Sequence, residues 1–287
     1  MSTTTPTPTT APTTARAPRL PGAIALGLER TKVELLMFSR ERDAVIFIFA
    51  YPMIMLAIFA TVFADQSIDL GGGQTLDFKA YFLPGMVATG LLLTSFQNLA
   101  ISIAVERDEG TLKRLRGTPM PPSAYFLGKI GSVLVTSLVQ MLVLFAVARF
   151  VFDIPMPGAE GWATFAWIFV LGTASGAVCG VAFSSLPRSG KSANAVVTPI
   201  VLVLQFISGV FFAFPDLPGW MQQLAALFPL KWMAQGMRSV FLPEGAQVME
   251  PAGTWELPMV AAVLGAYLVV GLLVGVKTFR WRRRDDG

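Results

Sequence analysis

The sequence contains no histidine and a single cysteine, Cys179, among its 287 residues. The absence of histidine excludes Ser-His-Asp and Cys-His catalysis, histidine metal sites and the usual proton-relay side chain. The single cysteine excludes an intrachain disulfide and a metal site built on two thiolates. Charged residues make up only 14% of the chain, whereas about 25% is usual in soluble domains. The composition therefore argues against a soluble enzyme.

Apolar residues are abundant instead, at 54% of the chain with a mean hydropathy of +0.61. A helix needs about 20 mostly apolar residues to cross the hydrocarbon core of a bilayer. Six stretches are long enough, at residues 44–64, 81–105, 125–152, 162–186, 195–214 and 258–279. The sequence thus predicts an all-α integral membrane protein with a six-span transmembrane domain over residues 44–279.

Most of the 22 Lys and Arg residues lie on one side of these spans. They precede the first span, fill the loops between spans two and three and between spans four and five, and follow the sixth span. Cytoplasmic loops carry such an excess, so we expect a multi-pass protein of the plasma membrane with both termini in the cytoplasm. Residues 1–21 predict a disordered tail without a signal peptide, and residues 280–287 a basic tail.

Two segments outside the spans show helical spacing of apolar residues. Val33, Leu36 and Met37 predict an interfacial helix within residues 22–43, the alternative being a cytoplasmic extension of the first span. Residues 215–245 predict two short amphipathic helices on either side of Pro229, as a re-entrant outer segment. The loop between the first two spans is short and rich in glycine.

The stretch "SGKS" at residues 189–192 looks like the end of a phosphate-binding loop. That motif requires glycine five residues before Gly190, where this chain has Ser185, and it requires a preceding strand rather than a membrane span. We therefore expect no nucleotide site, no metal site and no enzymatic activity in this chain. Arg188 and Lys191 are interpreted as cytoplasmic anchors.

Small and polar residues within the spans suggest packing and pathway roles. Gly172, Gly176 and Gly180 recur every four residues, a spacing that lets helices approach closely in lipid. Polar and aromatic residues of the second and fifth spans either line a translocation pathway or join helices to each other. The pathway candidates are Thr94, Gln97, Asn98, Gln205, Phe206, Ser208, Phe211 and Phe212. No carboxylate lies deep in a span, and Lys129 and Arg149 are expected to snorkel from span ends.

The loop between the second and third spans concentrates charge in an ordered way. Acids at 106, 108 and 109 precede bases at 113, 114 and 116, an order that matches the dipole of a helix over residues 106–117. Gly117 and the prolines after it should end this helix. A helix this short is marginal alone in water, so we expect the spans or a partner to hold it. An anchoring loop would explain the bases but not the acids.

This loop resembles the permease subunit of ATP-binding-cassette (ABC) type-2 exporters, in particular the drug and antibiotic exporter branch. The motif residues are Glu106, Glu109, Gly110, Thr111, Leu112, Lys113, Arg114, Leu115, Arg116, Thr118 and Pro119, followed by Tyr125, Gly128 and Lys129. Residues 206–241 are similar to the family's fifth span and outer segment. Together with the six spans, the resemblance extends over nearly the whole chain from about residue 22.

The resemblance implies that residues 106–117 form a coupling helix, whose motif residues from Glu106 to Pro119 dock on a cytoplasmic ATPase. Two copies of that ATPase would hold ATP and Mg, and a second permease, identical or related, would complete the complex. The second and fifth spans would line the pathway. The expected function is ATP-driven export of a hydrophobic or amphipathic compound such as a drug, an antibiotic or a lipid-like molecule, with no nucleic-acid partner. The alternatives are export of a lipid-linked glycan or other envelope precursor, a coupled secondary carrier, and a non-transporting membrane anchor or sensor.

Overall fold

A computed structural model describes residues 22–279 of the protein, so the predicted tails at 1–21 and 280–287 lie outside the described residues. Eleven α-helices are present in that part of the chain. They are α1 (Ala23–Arg40), α2 (Arg42–Val62), α3 (Phe78–Leu92), α4 (Asn98–Asp108), α5 (Thr111–Arg116), α6 (Pro122–Phe150), α7 (Ala159–Phe183), α8 (Gly190–Ile207), α9 (Gly219–Ala226), α10 (Pro229–Phe241) and α11 (Leu257–Thr278). A π-helical turn, Leu93–Gln97, joins α3 to α4 without a break.

The prediction of six membrane-spanning helices is confirmed within the described residues. The helices long and apolar enough to cross a bilayer are α2, the continuous segment Phe78–Asp108, α6, α7, α8 and α11. Phe78–Asp108 is the most buried of them, at 83% of its apolar window, whereas only 22% of the corresponding window is buried in α2 and in α11. The second span is therefore the central helix of the bundle, and the peripheral helices carry the surface suited to lipid.

The fifth span differs most from its predicted bounds of 195–214. Helix α8 begins at Gly190, because the Ser189 hydroxyl accepts a hydrogen bond from the Ser192 backbone N–H at 3.2 Å and Ser192 reciprocates in a capping box. The helix ends before Gly209, whose φ of +70° is incompatible with its continuation. The "SGKS" stretch is thus a helix start that follows α7, with no strand between α7 and α8.

The loop between the first two spans is a β-hairpin rather than an irregular glycine-rich loop. Strand β1 (Ser67–Gly71) pairs antiparallel with β2 (Gln74–Asp77). Gly72 and Gly73 have φ angles of +60° and +79°, as a two-residue type I′ turn requires. We call this end of the bundle the hairpin end, and the opposite end, which carries α5, the α5 end.

Two helices follow α8 at the hairpin end, as the spacing around Pro229 predicted. Helix α9 packs on α8, and α10 packs on α3, α7 and α11. The buried guanidinium of Arg238 in α10 pairs with Glu250 at 2.5 Å and donates to the Gly209 carbonyl at 3.2 Å. Since a buried charge requires such partners, the ion pair joins α10 to the chain that follows it, and the hydrogen bond to Gly209 joins α10 to the chain after α8.

Candidate functional site

A buried cluster of charged side chains lies where α1, α4 and α6 meet at the α5 end. We call it the Lys129 cluster, and it consists of Arg30, Glu34, Glu106, Tyr125 and Lys129. The Lys129 ammonium group donates to Oε2 of Glu34 at 2.7 Å and also to Glu106. The Tyr125 hydroxyl donates to the second carboxylate oxygen of Glu106 at 2.9 Å. Arg30 forms an ion pair with Glu34. Three elements that are distant in sequence are thereby joined.

The cluster balances two cations against two carboxylates in an environment almost without solvent. Lys129 is 2% exposed and Glu106 6%. The Arg30 guanidinium and the Lys129 ammonium lie 5.6 and 5.7 Å from the centroid of the Tyr125 ring, which adds a cation–π attraction. Removal of charge from water is costly unless each charge is paired. The expectation that Lys129 snorkels was therefore wrong, since its charge is used inside the bundle.

Glycine residues allow α1 to lie directly against α6. A Cβ atom on Gly128 would be 2.7 Å from Cβ of Arg30, and one on Gly27 would be 2.8 Å from Cβ of Leu127. Real side chains do not approach so closely, so both positions need a residue without a side chain. Tyr125, Gly128 and Lys129 therefore all help to hold α1 on α6. Gly128 lies against Arg30, Lys129 binds Glu34, and the ring of Tyr125 lies below the Arg30 guanidinium.

Arg107 connects the same end of α4 to the connection between the fourth and fifth spans. Its guanidinium donates to the carbonyl oxygens of Ser184 and Pro187, both at 2.8 Å. Ser184 caps the C-terminus of α7, where backbone carbonyls lack partners within the helix. The sequence analysis used the bases of this loop only as a sign of a cytoplasmic location and assigned no separate role to Arg107. Its burial, next to the equally buried Glu106, was not visible from spacing alone.

Helix α5 covers residues 111–116, which is shorter than the predicted 106–117. Gly110 has a φ of +75°, so the helix of the second span ends at Asp108 and a new helix begins at Thr111. Leu112 is fully buried, whereas Lys113, Arg114 and Arg116 are exposed. The acids and bases of this loop therefore lie on two helices with a sharp turn between them.

Glu106 and Glu109, for which the sequence analysis predicted the same role, have different environments. Glu106 is buried in the Lys129 cluster, and Glu109 is exposed at the C-terminus of α4. The chain after α5 is fixed locally, because the Thr118 hydroxyl donates to the Leu115 carbonyl at 2.6 Å and Pro119 follows. The exposed residues of this site include Glu109, the basic residues of α5, and Gly117, Thr118 and Pro119 after it.

A cleft of about 820 Å³ opens beside this site, between the α1–α2 connection, α4 and α8. Two of the predicted pathway residues, Gln97 and Asn98, line it. Gln97 donates to the Thr198 hydroxyl at 3.3 Å, and Thr198 donates to Asn194 at 2.9 Å. These bonds place a line of polar groups along the α4 and α8 walls of the cleft.

The Glu41 carboxyl group lines the mouth of this cleft and is perturbed by its surroundings. Its partial removal from water raises its pKa, the nearby Lys129 opposes this effect, and the carboxylates of Glu106, Glu109 and Glu34 add to it. Repulsion between like charges and loss of hydration both favour the protonated acid. The carboxyl group of Glu41 therefore keeps its proton to a higher pH than an ordinary glutamate does.

The other pathway candidates do not line this cleft. The Thr94 hydroxyl donates to Gln140 of α6 at 2.7 Å, and Gln205 accepts a hydrogen bond from the Tyr51 hydroxyl at 2.8 Å. Both side chains therefore join helices to each other, which is the alternative that the sequence left open. The remaining candidates divide by exposure, with Ser208 and Phe211 buried and Phe206 and Phe212 exposed.

The π-helical turn at Leu93–Gln97 was not anticipated from the sequence. It ends at Gln97, and π-turns within α-helices are frequent at functional sites. Gly176 and Gly180 of α7 lie against it, where a Cβ on Gly180 would be 2.8 Å from the Phe96 carbonyl oxygen. Gly172 lies one turn away, against Met233 of α10. Two of the three regularly spaced glycines of α7, Gly176 and Gly180, thus pack against the π-helical turn of the second span.

Comparison with known proteins identifies several membrane permeases that are similar in sequence to this chain. The chain is 24% identical over 191 residues to the probable multidrug ABC transporter permease YbhR of Escherichia coli, which covers 67% of this chain and 51% of YbhR. The chain thus spans about half the length of that relative. It is 21% identical over 192 residues to the inner membrane transport permease YadH of Escherichia coli, covering 67% of this chain and 74% of YadH.

A third relative comes from another bacterium. The chain is 24% identical over 240 residues to the daunorubicin resistance ABC transporter permease protein DrrB1 of Streptomyces coeruleorubidus, covering 80% of this chain and 77% of DrrB1. The family model for the ABC-2 type transporter matches residues 30–242, from the Arg30 that enters the Lys129 cluster to the end of α10. With six helices able to cross a membrane and this match over most of its length, the chain belongs to the ABC-2 type transporter family.

Proposed function

We propose that the protein is the membrane-spanning permease subunit of an ABC exporter that moves a hydrophobic or amphipathic compound out of the cytoplasm. ATP would be hydrolysed with Mg by two copies of a separate ATPase subunit. The printed names of two relatives, a multidrug and a daunorubicin resistance permease, support a drug-like cargo. The excess of bases at the α5 end supports a cytoplasmic location for that end and for both termini.

The observation that carries this proposal is the way α5 is connected to the bundle. The exposed bases of α5 follow directly on Glu106 and Arg107 at the end of α4. Glu106 is bonded to Lys129 on α6, and Arg107 is bonded to the chain between α7 and α8. A displacement of α5 would therefore be transmitted to the spans that surround the cleft. Such a displacement requires a partner that binds the two arrangements with different affinity.

Glu109 and the exposed bases of α5 are the residues that we propose contact the ATPase, with Leu112 holding α5 to the bundle. Glu106 is proposed to support this surface from inside, since its carboxylate is already satisfied by Lys129 and Tyr125. The cleft beside α4 and α8 is proposed as the cytoplasmic part of the pathway. A second permease copy would face α8, where Phe206 and the nearby Phe212 are exposed.

The test is a charge reversal in the full complex, with the permease and its cognate ATPase expressed together. Glu109→Lys should reduce co-purification of the ATPase and ATP-dependent export of the compound. Glu29→Lys is the matched control, because Glu29 is also an exposed acid but lies on α1, away from α5. If Glu109→Lys leaves both assembly and export at the control level, the coupling assignment is wrong.

A further inference from the structure

The cleft beside α4 and α8 has a charge pattern that bears on its cargo. Carboxylates of Glu41, Asp43, Glu106 and Glu109 line it, and no Lys or Arg is among its lining residues in the described chain. Glu106 is neutralised by Lys129. In the part of the chain that the structure describes, no base forms an ion pair with Glu41, Asp43 or Glu109. Among the described residues, these three acids therefore have no ion-pair partner.

The walls of the cleft carry apolar surface beside their polar groups, and one hydrogen-bond acceptor among those groups is unpaired. Phe47 and Ile101 contribute apolar surface. The Gln97 side chain is 8% exposed, and within residues 22–279 its carbonyl oxygen has no hydrogen-bond partner, although its amide nitrogen donates to Thr198. An acceptor buried without a donor costs free energy. A bound molecule that brings an N–H or O–H group to this point would remove that cost.

The size of the cleft fits a single small molecule rather than a polymer. Ligand pockets for drug-sized compounds enclose about 300–1,000 Å³, and this cleft measures about 820 Å³. Its walls combine apolar surface, an unpaired acceptor and three acids at the mouth. An anion would be repelled there, and a purely apolar compound would leave both the acids and the acceptor unused.

We propose that the cleft binds an amphipathic organic cation that carries a hydrogen-bond donor. The charged group lies between the carboxylates of Glu41 and Asp43, the apolar body lies against Phe47 and Ile101, and the donor faces the carbonyl oxygen of Gln97. This inference rests on the proposed export function and narrows its cargo from hydrophobic or amphipathic compounds to cationic ones.

Direct binding to the full chain in nanodiscs of zwitterionic lipid tests the charge preference without the ATPase. The probes are tetraphenylphosphonium, a permanent cation, and tetraphenylborate, an anion of nearly the same size and shape, each corrected for partition into empty nanodiscs. The protein should bind the cation and not the anion. The double variant Glu41→Gln/Asp43→Asn should weaken cation binding about tenfold, on the scale of unit charges near a protein surface.

Glu29→Gln is the control, since it removes an exposed acid of α1 that does not line the cleft. It should leave the affinity unchanged. Equal binding of the anion and the cation, or equal loss of affinity in the control, would overturn the proposal. If the double variant does not fold, the same question is answered on the unaltered protein by pH, because tetraphenylphosphonium has no titratable proton.

Affinity for tetraphenylphosphonium should fall as the pH is lowered, because protonation removes the negative charges. The groups that face Glu41 are Glu34 from α1, Glu106 and Glu109 from α4, and Lys129 from α6, with Asp43 next to it on α2 and Arg40 and Arg42 flanking it in sequence. The raised pKa of Glu41 places its loss of charge above the ordinary range of a glutamate. Affinity that is constant down to about pH 4 would contradict the proposal.

The variant Gln97→Leu tests whether the bound molecule donates a hydrogen bond to the Gln97 carbonyl oxygen. Rhodamine 6G, a permanent cation with N–H groups, should bind more weakly to this variant, whereas tetraphenylphosphonium, which has no donor, should bind as before. Loss of both probes, or of neither, would refute the role given to Gln97. These binding tests can fail while the exporter proposal stands. The exporter proposal is contradicted only if the complex does not export, or if changes in α5 affect neither export nor ATPase assembly.

Discussion

The ammonium group of Lys129 lies 2.7 Å from a carboxylate oxygen of Glu34, so a base on the third membrane helix binds an acid on the helix that precedes the first. The same ammonium group binds Glu106 at the end of the second span. One buried cation thus connects α1 to the end of α4, which leads into α5. The first prediction concerns what happens when this cation is removed.

Lys129→Met should destabilise the protein by about 3–5 kcal/mol, because Glu34 and Glu106 remain buried with one cation fewer. The midpoint of thermal unfolding in detergent measures the effect. Lys32→Met is the control, since Lys32 forms an exposed pair with Glu29 and should change stability by no more than about 1 kcal/mol. Adding Glu106→Gln to Lys129→Met should restore part of the loss. A loss in Lys129→Met no larger than in the control would show that the cluster is not stabilising.

Gly128→Ala should separate α1 from α6, because the new methyl group would meet the side chain of Arg30. The expected cost is about 1–3 kcal/mol, as for other overpacked contacts. Gly265→Ala on α11 provides the contrast, since nothing lies within 4 Å of its added Cβ and alanine favours helix by up to about 1 kcal/mol. The midpoint of thermal unfolding should therefore fall in Gly128→Ala and rise in Gly265→Ala. Equal shifts of the two midpoints would refute the close packing of α1 on α6.

Glu41→Gln should change how stability depends on pH. The pKa of Glu41 is raised in the folded protein, so the folded state binds the proton more tightly than the unfolded state. Stability then falls as the pH rises from about 4.3 through the raised pKa of this residue. The variant lacks this loss, so it should match the unaltered protein in acid and exceed it at neutral pH. Unfolding midpoints across this range measure the difference, with Glu29→Gln expected to follow the unaltered protein throughout.

Cross-linking should identify the helix that faces a second permease copy. Cys179 is the only cysteine, so Cys179→Ala provides a background free of thiols. In that background Val203→Cys on α8 should form a disulfide between copies when isolated membranes are treated with copper phenanthroline and oxygen as the oxidant, because α8 carries exposed residues next to the proposed pathway. Val270→Cys on α11 is the control, since Val203 and Val270 are both 57% exposed. Cross-linking at position 270 and not at 203 would place the interface on the other side of the bundle.

The six spans followed from the sequence because a length of about 20 apolar residues is a local property that hydropathy measures directly. The two short helices around Pro229 were also predictable, since amphipathic spacing and a proline are local signals. The hairpin was not predicted, although Gly72 and Gly73 are the residues that a type I′ turn prefers. That signal was present in the sequence, but the segment was interpreted only as a short glycine-rich loop.

The remaining features depend on contacts between residues far apart in the chain. The difference between Glu106 and Glu109 arises from the position of Lys129, which lies 23 residues after Glu106 and meets it only when α6 packs on α4. The π-turn, the bonds of Arg107 and the acidic cleft have the same origin, since spacing along one helix does not specify which neighbour it meets. The sequence by itself determined the membrane class, the number of spans and the charged motif, because hydrophobic length and charge order act locally. Only the tertiary structure decided which charges are buried and paired and which remain available to a partner or a ligand, because the burial of a charge is set by the helices packed around it.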